Sequence, residues 1–326
     1  MRFGVIGAGS MGSLYGGLLA RAGFDVMLVD LWQEHVDLIR RDGLHLDGIT
    51  GDLRIPVKAT SRVEDVPPVD CAIILTDANA TLEAAQTARR VLGSEGFALT
   101  LQNGIGNVET LGEALGAGRV MGGTSNHSAA LRAPGHVTHT HAAPTWIGEL
   151  DGRRTGRLGE AEEALARAGF TPVVVDNILA HIWNKFILNC GINAISAVTG
   201  LRLGEIVRTP AVDELQTRVI EEVLAVVRAK GVVLTDPDPM RTIKEHCRKK
   251  YNKPSTLQHV EQGKRTEIDA LNGALVREAR RLGVPTPYND AVTLLLKGVE
   301  KHSAQTLRGP AIDYDRLEAE AAKEHG

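Results

Sequence analysis

A stripe of polar side chains runs along an otherwise apolar segment at residues 181–200. Lys185, Asn189 and Asn193 recur at intervals of four, so an α-helix would place them on one face. A lysine among isoleucines is costly unless its charge is compensated. The stripe is therefore a candidate for an ammonium that donates a proton beside two positioning amides. The alternative is a structural lysine whose ammonium reaches solvent or a carboxylate.

A second chemical motif lies at residues 4–12, where the sequence GVIGAGSMG joins a predicted strand to a predicted helix. In dinucleotide-binding βαβ units the first glycine permits a tight turn and the second lets a pyrophosphate approach the backbone. The third allows the helix to pack closely on the strand, and the helix N-terminus favours phosphate. We therefore predict a dinucleotide site that includes Gly7, Gly9, Ser10, Met11 and Gly12.

Asp30 stands at the end of the second predicted strand. A carboxylate there can accept both ribose hydroxyls of NAD and repels the 2′-phosphate of NADP. The sequence therefore predicts NAD(H) as the favoured cofactor over NADP(H). The alternative is that Asp30 caps the helix predicted to begin near Gln33.

These motifs need an α/β scaffold, and the first half of the chain has its pattern. Short β-branched runs alternate with helical stretches up to Asp176, after which one helical pattern follows another. We predict an N-terminal Rossmann-type doubly wound sheet over residues 1–176 and an all-helical C-terminal domain over residues 177–326. At 326 residues, two domains with a cleft between them are expected. Predicted strands are 3–7, 25–30, 71–76 and 97–102, with further strands near 118–131, 136–148 and 171–175. Predicted helices are 11–22, 33–42, 80–92, 177–199, 212–230, 238–250, 255–262, 266–282 and 289–302.

Composition narrows the class of protein. A net charge of −3 offers no reason to expect nucleic acid or an anionic membrane as a partner. Three scattered cysteines and an opening strand without a leader pattern predict a cytoplasmic protein without disulfides. His139 and His141 alternate on one predicted strand, but no further ligand stands beside them in the sequence, so no metal site is predicted.

The chain resembles the ketopantoate reductase (2-dehydropantoate 2-reductase) family from its first strand almost to residue 305. The likeness rests on the N-terminal GAGSMG, on LQNGIGN at 101–107, on WNKFILNCGINAIS at 183–196 and on NKPSTLQHVEQGKRTEIDALNG at 252–273. The lysine–asparagine helix and TEIDALNG are more specific to this family than the glycine loop is.

The resemblance implies reduction of a small 2-oxo acid to the 2-hydroxy acid, with ketopantoate and pantoate as the leading pair. It assigns the catalytic roles to Lys185, the proton donor, and to Glu267, which engages the substrate and the active-site network. It assigns substrate binding to Asn189, Asn193, Asn252 and Ser255, and it places Asn103 between the cofactor and the lysine. A homodimer is compatible with this family but is not specified by the sequence.

The chain departs from the family pattern at two positions. Many members carry a lysine where this chain has Asp77, and many carry a basic residue where it has Asp30. These two acidic residues leave an alternative open, an NAD-dependent 2-hydroxy acid dehydrogenase of the mandelate kind. A dinucleotide-binding sensor without catalysis is a second alternative of another class, which the presence of Lys185 and Glu267 disfavours.

Overall fold

The computed structural model describes the backbone of residues 1–325 and the side chains of residues 1–318 and 320–323. The helices are α1 (Ser10–Arg21), α2 (Gln33–Asp42), α3 (Thr81–Val91), α4 (Asn107–Leu115), α5 (Gly156–Arg167), α6 (Ile178–Thr199), α7 (Leu203–Ile206), α8 (Pro210–Lys230), α9 (Pro239–Lys249), α10 (Ser255–Glu261), α11 (Asn272–Leu282), α12 (Pro287–Arg308) and α13 (Tyr314–His325). The strands are β1 (Arg2–Ile6), β2 (Asp25–Val29), β3 (Leu44–Gly48), β4 (Leu53–Ile55), β5 (Lys58–Thr60), β6 (Val69–Ile74), β7 (Leu92–Thr100), β8 (Val120–Ser125), β9 (Ser128–Ala133), β10 (His136–His141), β11 (Thr145–Glu149) and β12 (Pro172–Val174).

The strands of the described residues form two sheets. The larger has the order β12-β11-β8-β7-β6-β1-β2-β5, and all its neighbouring strands pair in parallel except β11 and β8. The smaller has the order β4-β3-β10-β9. The mixed, mostly parallel sheet and the helical region that follows confirm the predicted fold class.

Alternating side chains of the large sheet build two cores, one on each face. Val5 and Ile73 pack with Leu14 and other residues of α1, whereas Ile6 and Ile74 pack with the alanines of α3 and with α4. Successive residues of a strand point to opposite faces, and both faces here are covered, which is why these strands read as continuous apolar runs.

The chain divides into two compact units, and α6 passes from one to the other. The first unit is Met1–Ile187 with Val227–Pro237, and the second is Leu188–Val226 with the chain from Asp238 onward. The boundary near residue 176 remains a prediction. Among the described residues, no helix combines the length and the apolarity needed to cross a bilayer.

One predicted helix is wrong at its start. A helix over 266–282 was expected, but α11 begins only at Asn272. Residues 266–271 form turns instead, because Thr266 Oγ1 accepts the backbone N–H of Ile268 and the carbonyl of Ile268 accepts the N–H of Gly273. A threonine hydroxyl that bonds the nearby backbone competes in this way with helix formation.

Candidate active site

The carboxyl ends of six parallel strands, β5, β2, β1, β6, β7 and β8, lie at one edge of the large sheet. In open α/β sheets, ligands bind at this edge. Three predicted site residues and one position that departs from the family pattern follow β1, β2, β7 and β6 directly or within three residues, and β8 ends there at Ser125. These four are Gly7, Asp30, Asp77 and Asn103.

Each of the three loop positions is occupied by glycine for a different structural reason. Gly7 has φ +88°, and a Cβ there would lie 2.5 Å from the backbone nitrogen of Thr76. A Cβ on Gly12 would lie 1.8 Å from the carbonyl oxygen of Gly7, so both positions are closed to any side chain by the fold itself. Gly9 is different, because a Cβ there meets no described atom within 4 Å. The fold leaves room at Gly9, as a site that receives a pyrophosphate against its backbone would require.

Asp30 closes the turn that leads into α2. Its Oδ1 accepts the backbone N–H of Trp32 at 2.9 Å. Trp32 is the N-cap residue of α2, and its side chain makes no capping hydrogen bond. The predicted alternative for Asp30 was a helix cap, and its bond to the residue just before Gln33 is a turn contact rather than that cap. The side chain is half-buried at the end of β2.

His35 is a buried residue of this region that no sequence motif indicates. Its Nδ1 accepts the N–H of Gly135 at 2.9 Å, so Nε2 carries the proton and donates to Ser13 Oγ at 3.2 Å. Ser13 in turn donates to the carbonyl of Ala8 in the glycine loop. Burial lowers the pKa of His35, which keeps the ring neutral and suited to this bridge.

Lys185 reaches the carboxyl end of β8 from α6. Its Nζ donates to the carbonyl oxygen of Ser125 at 2.5 Å, and the side chain is partly buried. The contact joins residues 60 positions apart in the chain. It holds the ammonium at the same sheet edge as the glycine loop.

Tyr15 fixes the strand end that receives Lys185. The Tyr15 hydroxyl donates to Ser125 Oγ at 2.8 Å and lies 2.5 Å from Thr145 Oγ1, while its ring stacks on Phe170. Burial raises the pKa of Tyr15 to about 12, so the hydroxyl stays protonated. Tyr15 lies on α1, the helix of the glycine loop, and thus links the two parts of the site.

His127 and His139 form a second buried support beside Ser125. His139 Nε2 lies 2.9 Å from the carbonyl oxygen of His141 and 3.0 Å from His127 Nδ1. The carbonyl can only accept, so we assign the proton to His139 Nε2, and His127 carries its own on Nε2. Burial, together with His139 and His141, lowers the pKa of His127 to about 4. The sequence pattern grouped His139 with His141, whereas its imidazole partner is His127.

Asp77 and Asn103 lie in the loops that follow β6 and β7. Asp77 is exposed, and its Oδ1 accepts the N–H of Asn79 at 2.8 Å. The carbonyl of Asn103 accepts from Asn107 Nδ2 at 2.8 Å. The neighbouring Gln102 donates to the hydroxyls of Thr76 and Thr81 and thereby ties the two loops together.

Ser10 and Met11 begin α1 in the first unit, whereas the predicted substrate-binding residues and Glu267 belong to the second unit. Asn189 and Asn193 follow Lys185 along α6 at one-turn intervals; the first is half-buried and the second buried. Asn252 is exposed in the loop before α10, Ser255 is the first residue of α10, and Glu267 is half-buried in the turns before α11.

Asn272, in the TEIDALNG motif, supports α6 within the second unit. Its Nδ2 donates to the carbonyl of Cys190 at 3.2 Å and to Asn289 Oδ1 at 2.9 Å. Asn289 donates in turn to Glu222 Oε2 at 2.7 Å and to the carbonyl of Val219 at 3.1 Å. These buried bonds hold α6 against α8, α11 and α12, beside Asn189.

The sequence matches two family models, one in the N-terminal half and one in the C-terminal half. "Ketopantoate reductase PanE/ApbA" matches residues 3–152, and "Ketopantoate reductase PanE/ApbA C terminal" matches residues 177–300. A 2-dehydropantoate 2-reductase from Pyrococcus horikoshii is 35% identical over 303 residues, which cover 92% of this chain and 98% of that protein.

Solved structures agree with the sequence matches. A PanE/ApbA family ketopantoate reductase from Ralstonia eutropha JMP134 superposes with a TM-score of 0.86 at 34% identity and covers 93% of this chain and 99% of its own. A D-mandelate dehydrogenase solved with NADH and anilino(oxo)acetate superposes with a TM-score of 0.84 at 25% identity over the same shares. This chain belongs to the ketopantoate reductase PanE/ApbA family.

Proposed function

We propose that this protein is a nicotinamide-dependent oxidoreductase that reduces ketopantoate to pantoate. The observation that carries the proposal is the position of Lys185, a partly buried ammonium held at the carboxyl edge of the sheet that also bears the glycine loop. Relatives named 2-dehydropantoate 2-reductase cover almost the whole chain and support the choice of substrate.

Lys185 is the proposed general acid. Reduction of the 2-oxo group adds a hydride to C2 and leaves a developing alkoxide on the oxygen, which an ammonium can both protonate and stabilise. One proton leaves Nζ for that oxygen, and the neutral amine is reprotonated from solvent. The carbonyl of Ser125 accepts one of the N–H bonds and thereby orients the ammonium.

The glycine loop is the proposed dinucleotide site. The bound dinucleotide supplies the hydride. Ser10 and Met11 begin α1 and offer backbone N–H groups to phosphate, and the open space at Gly9 suits the approach of a pyrophosphate. Asp30, at the end of β2, favours the unphosphorylated ribose of NADH over NADPH. Asn103 is assigned a place between the cofactor and Lys185 on the family resemblance.

The substrate-binding roles are assigned on the same resemblance. Asn189 and Asn193 position the lysine and the substrate, and Asn252 and Ser255 hold the substrate's carboxylate and hydroxyl. Glu267 engages the substrate and the hydrogen-bond network around it.

A mandelate-type dehydrogenase is the second candidate. It is favoured by the acidic residues Asp30 and Asp77, where many ketopantoate reductases carry basic ones, and by the likeness to a D-mandelate dehydrogenase.

A cytoplasmic location is proposed as well, because Cys71, Cys190 and Cys247 are buried thiols rather than disulfides. A homodimer is compatible with this assignment.

A substrate panel tests the proposal. Ketopantoate, benzoylformate and straight-chain 2-oxo acids would each be assayed with NADH and with NADPH, and kcat/KM compared. We expect the highest value for ketopantoate with NADH. A higher value for benzoylformate would favour the mandelate-type alternative. No turnover of any 2-oxo acid with either cofactor would contradict the proposal and favour the sensor.

A further inference from the structure

Strand pairing in the small sheet brings together three side chains that could ligate a metal ion. His45 and Asp47 lie on the same face of β3, and β10 pairs with β3 in parallel so that His136 stands beside His45. The candidate ligand atoms of His45, Asp47 and His136 all lie within 4.8 Å of one another. Asp47 and His136 lie 89 positions apart in the chain, so the sequence pattern does not reveal this cluster.

The cluster is held by short contacts between imidazoles and carboxylates. His136 Nε2 lies 2.8 Å from Asp47 Oδ2, and His45 Nε2 lies 2.7 Å from Asp52 Oδ1. The two imidazole rings stack with centroids 4.0 Å apart. These side chains are half-buried apart from Asp52, which is 80% exposed.

Asp47 has capacity left for a cation. Its Oδ1 is buried and makes no hydrogen bond of ordinary geometry with any described residue. A buried carboxylate oxygen that makes no well-formed hydrogen bond is costly unless something supplies positive charge.

We propose that His45, Asp47 and His136 bind a divalent transition-metal ion, with Zn²⁺ as the model ion. Imidazole and carboxylate are ordinary zinc ligands, with bonds of about 2.0–2.2 Å. An ion that replaces the proton shared by His136 and Asp47 needs those two atoms to separate by only about 0.5 Å. Asp52 orients the His45 ring as an outer carboxylate partner, and water completes the coordination.

Charge sets the expected strength of the site. Imidazoles bind a metal ion in their neutral form, so the negative charge of the site comes from the carboxylates of Asp47 and Asp52. A divalent ion neutralises these two charges. Arg54 stands opposite His45 in the register of β3 and β4, and the Arg132 guanidinium donates to Thr138, so the cluster has two basic neighbours. We therefore expect binding in the micromolar range rather than the far tighter binding of closed structural zinc sites.

The site would fasten β3 to β10 and has no part in the proposed reduction. Without metal, the same geometry consists of two hydrogen-bonded His–Asp pairs, which is the interpretation that the experiment must exclude.

Calorimetric titration of Zn²⁺ into EDTA-treated protein without an affinity tag tests the proposal. We expect one saturable site, a rise in Tm with Zn²⁺, a ligand-field absorption band with Co²⁺ and no response to Mg²⁺. His136→Asn and Asp47→Asn should abolish this binding, and Asp52→Asn should weaken it about tenfold or more. The matched control, His302→Asn on the exposed part of α12, should bind as the wild type does.

The Tm values in EDTA keep the variants interpretable, because variants that match the wild type there are folded. No saturable site in the wild type, or equal binding by the wild type and His136→Asn, would overturn the proposal. Equal loss in His302→Asn would overturn it as well, since binding would then come from scattered surface histidines.

Discussion

The glycine loop and the surroundings of Lys185 lie at one edge of the same sheet but are built in different ways. The loop is shaped by what is absent, since Gly7 and Gly12 have no room for a Cβ and Gly9 has open space. Lys185 depends on what is present, a buried set of hydroxyls and imidazoles around Ser125. We therefore expect cofactor binding to be weakened by side-chain atoms added to the glycine loop. Proton donation should be weakened by side-chain groups removed from the surroundings of Lys185.

Two alanine substitutions in the loop should have the largest and most contrasted effects. Gly12→Ala would push a Cβ against the carbonyl of Gly7, so we expect the free energy of unfolding to fall by about 3 kcal/mol and NADH affinity by about 100-fold or more. Gly9→Ala should leave the stability unchanged and still weaken NADH binding about tenfold, because only the cofactor meets the new methyl group.

Thermal unfolding and fluorescence titration with NADH would separate these outcomes. If Gly9→Ala bound NADH as tightly as the wild type does, the pyrophosphate would not lie in the space beside Gly9. The distinction between the two glycines would then have no functional meaning.

Asp30 should control the choice of cofactor without affecting the chemistry at Lys185. Asp30→Arg is expected to shift the NADH/NADPH ratio of kcat/KM by about ten- to 100-fold toward NADPH. Asp30→Asn is the matched control for the turn, because its side-chain oxygen can still accept the N–H of Trp32. A wild-type preference for NADPH, or an unchanged ratio in Asp30→Arg, would show that the carboxylate does not face the ribose.

His127 should make the Lys185 region sensitive to acid. Its pKa is about 4 in the folded protein and about 6.5 in an unfolded chain, so the unfolded chain binds the proton first as the pH falls. Stability from this group is full above about pH 6.5, decreases between 6.5 and 4, and changes no further below 4.

Urea unfolding of the wild type and His127→Gln at pH 7, 6, 5 and 4.5 would measure this dependence. The wild type should lose about 1–3 kcal/mol more than the variant across that range. The pH slopes are compared, so any constant cost of the substitution cancels. Parallel slopes would mean that the fold does not lower the pKa of His127.

Asp77 should have the smallest effect. It is exposed beside the loop that contacts Gly7, and in Asp77→Asn the amide oxygen can still accept the N–H of Asn79. Removal of one negative charge should lower KM for anionic 2-oxo acids about two- to fivefold at low ionic strength, and added salt should shrink the difference. An unchanged KM at every salt concentration would place Asp77 away from the substrate.

The two regions also differ in how far the sequence could predict them. The glycine loop is local, because strand, turn, helix and Asp30 follow one another within about thirty residues and each has its own signature. The stripe on α6 was equally visible as a spacing of four. The partner of Lys185 was not visible, because a backbone carbonyl 60 residues away carries no side-chain signal.

Long-range pairing explains the other gaps. His139 was grouped with His141 by strand alternation, whereas packing pairs it with His127. The strands β3 and β4 are short and partly exposed, so they lack the apolar run that marks the strands of the large sheet. The late start of α11 reflects a threonine–backbone bond that competes with helix and that helical periodicity does not register.

The central claim is that Lys185 donates the proton, and single-turnover reduction by Lys185→Ala tests it most directly. Enzyme loaded with NADH would be mixed with ketopantoate and the loss of NADH absorbance followed, with NADH affinity measured in parallel. We predict wild-type NADH affinity and a reduction rate about 10²–10⁴ times lower. Lys185→Arg should be similarly slow, because a guanidinium does not release its proton. A rate in Lys185→Ala close to that of the wild type would contradict the account and leave Lys185 as a structural contact of Ser125.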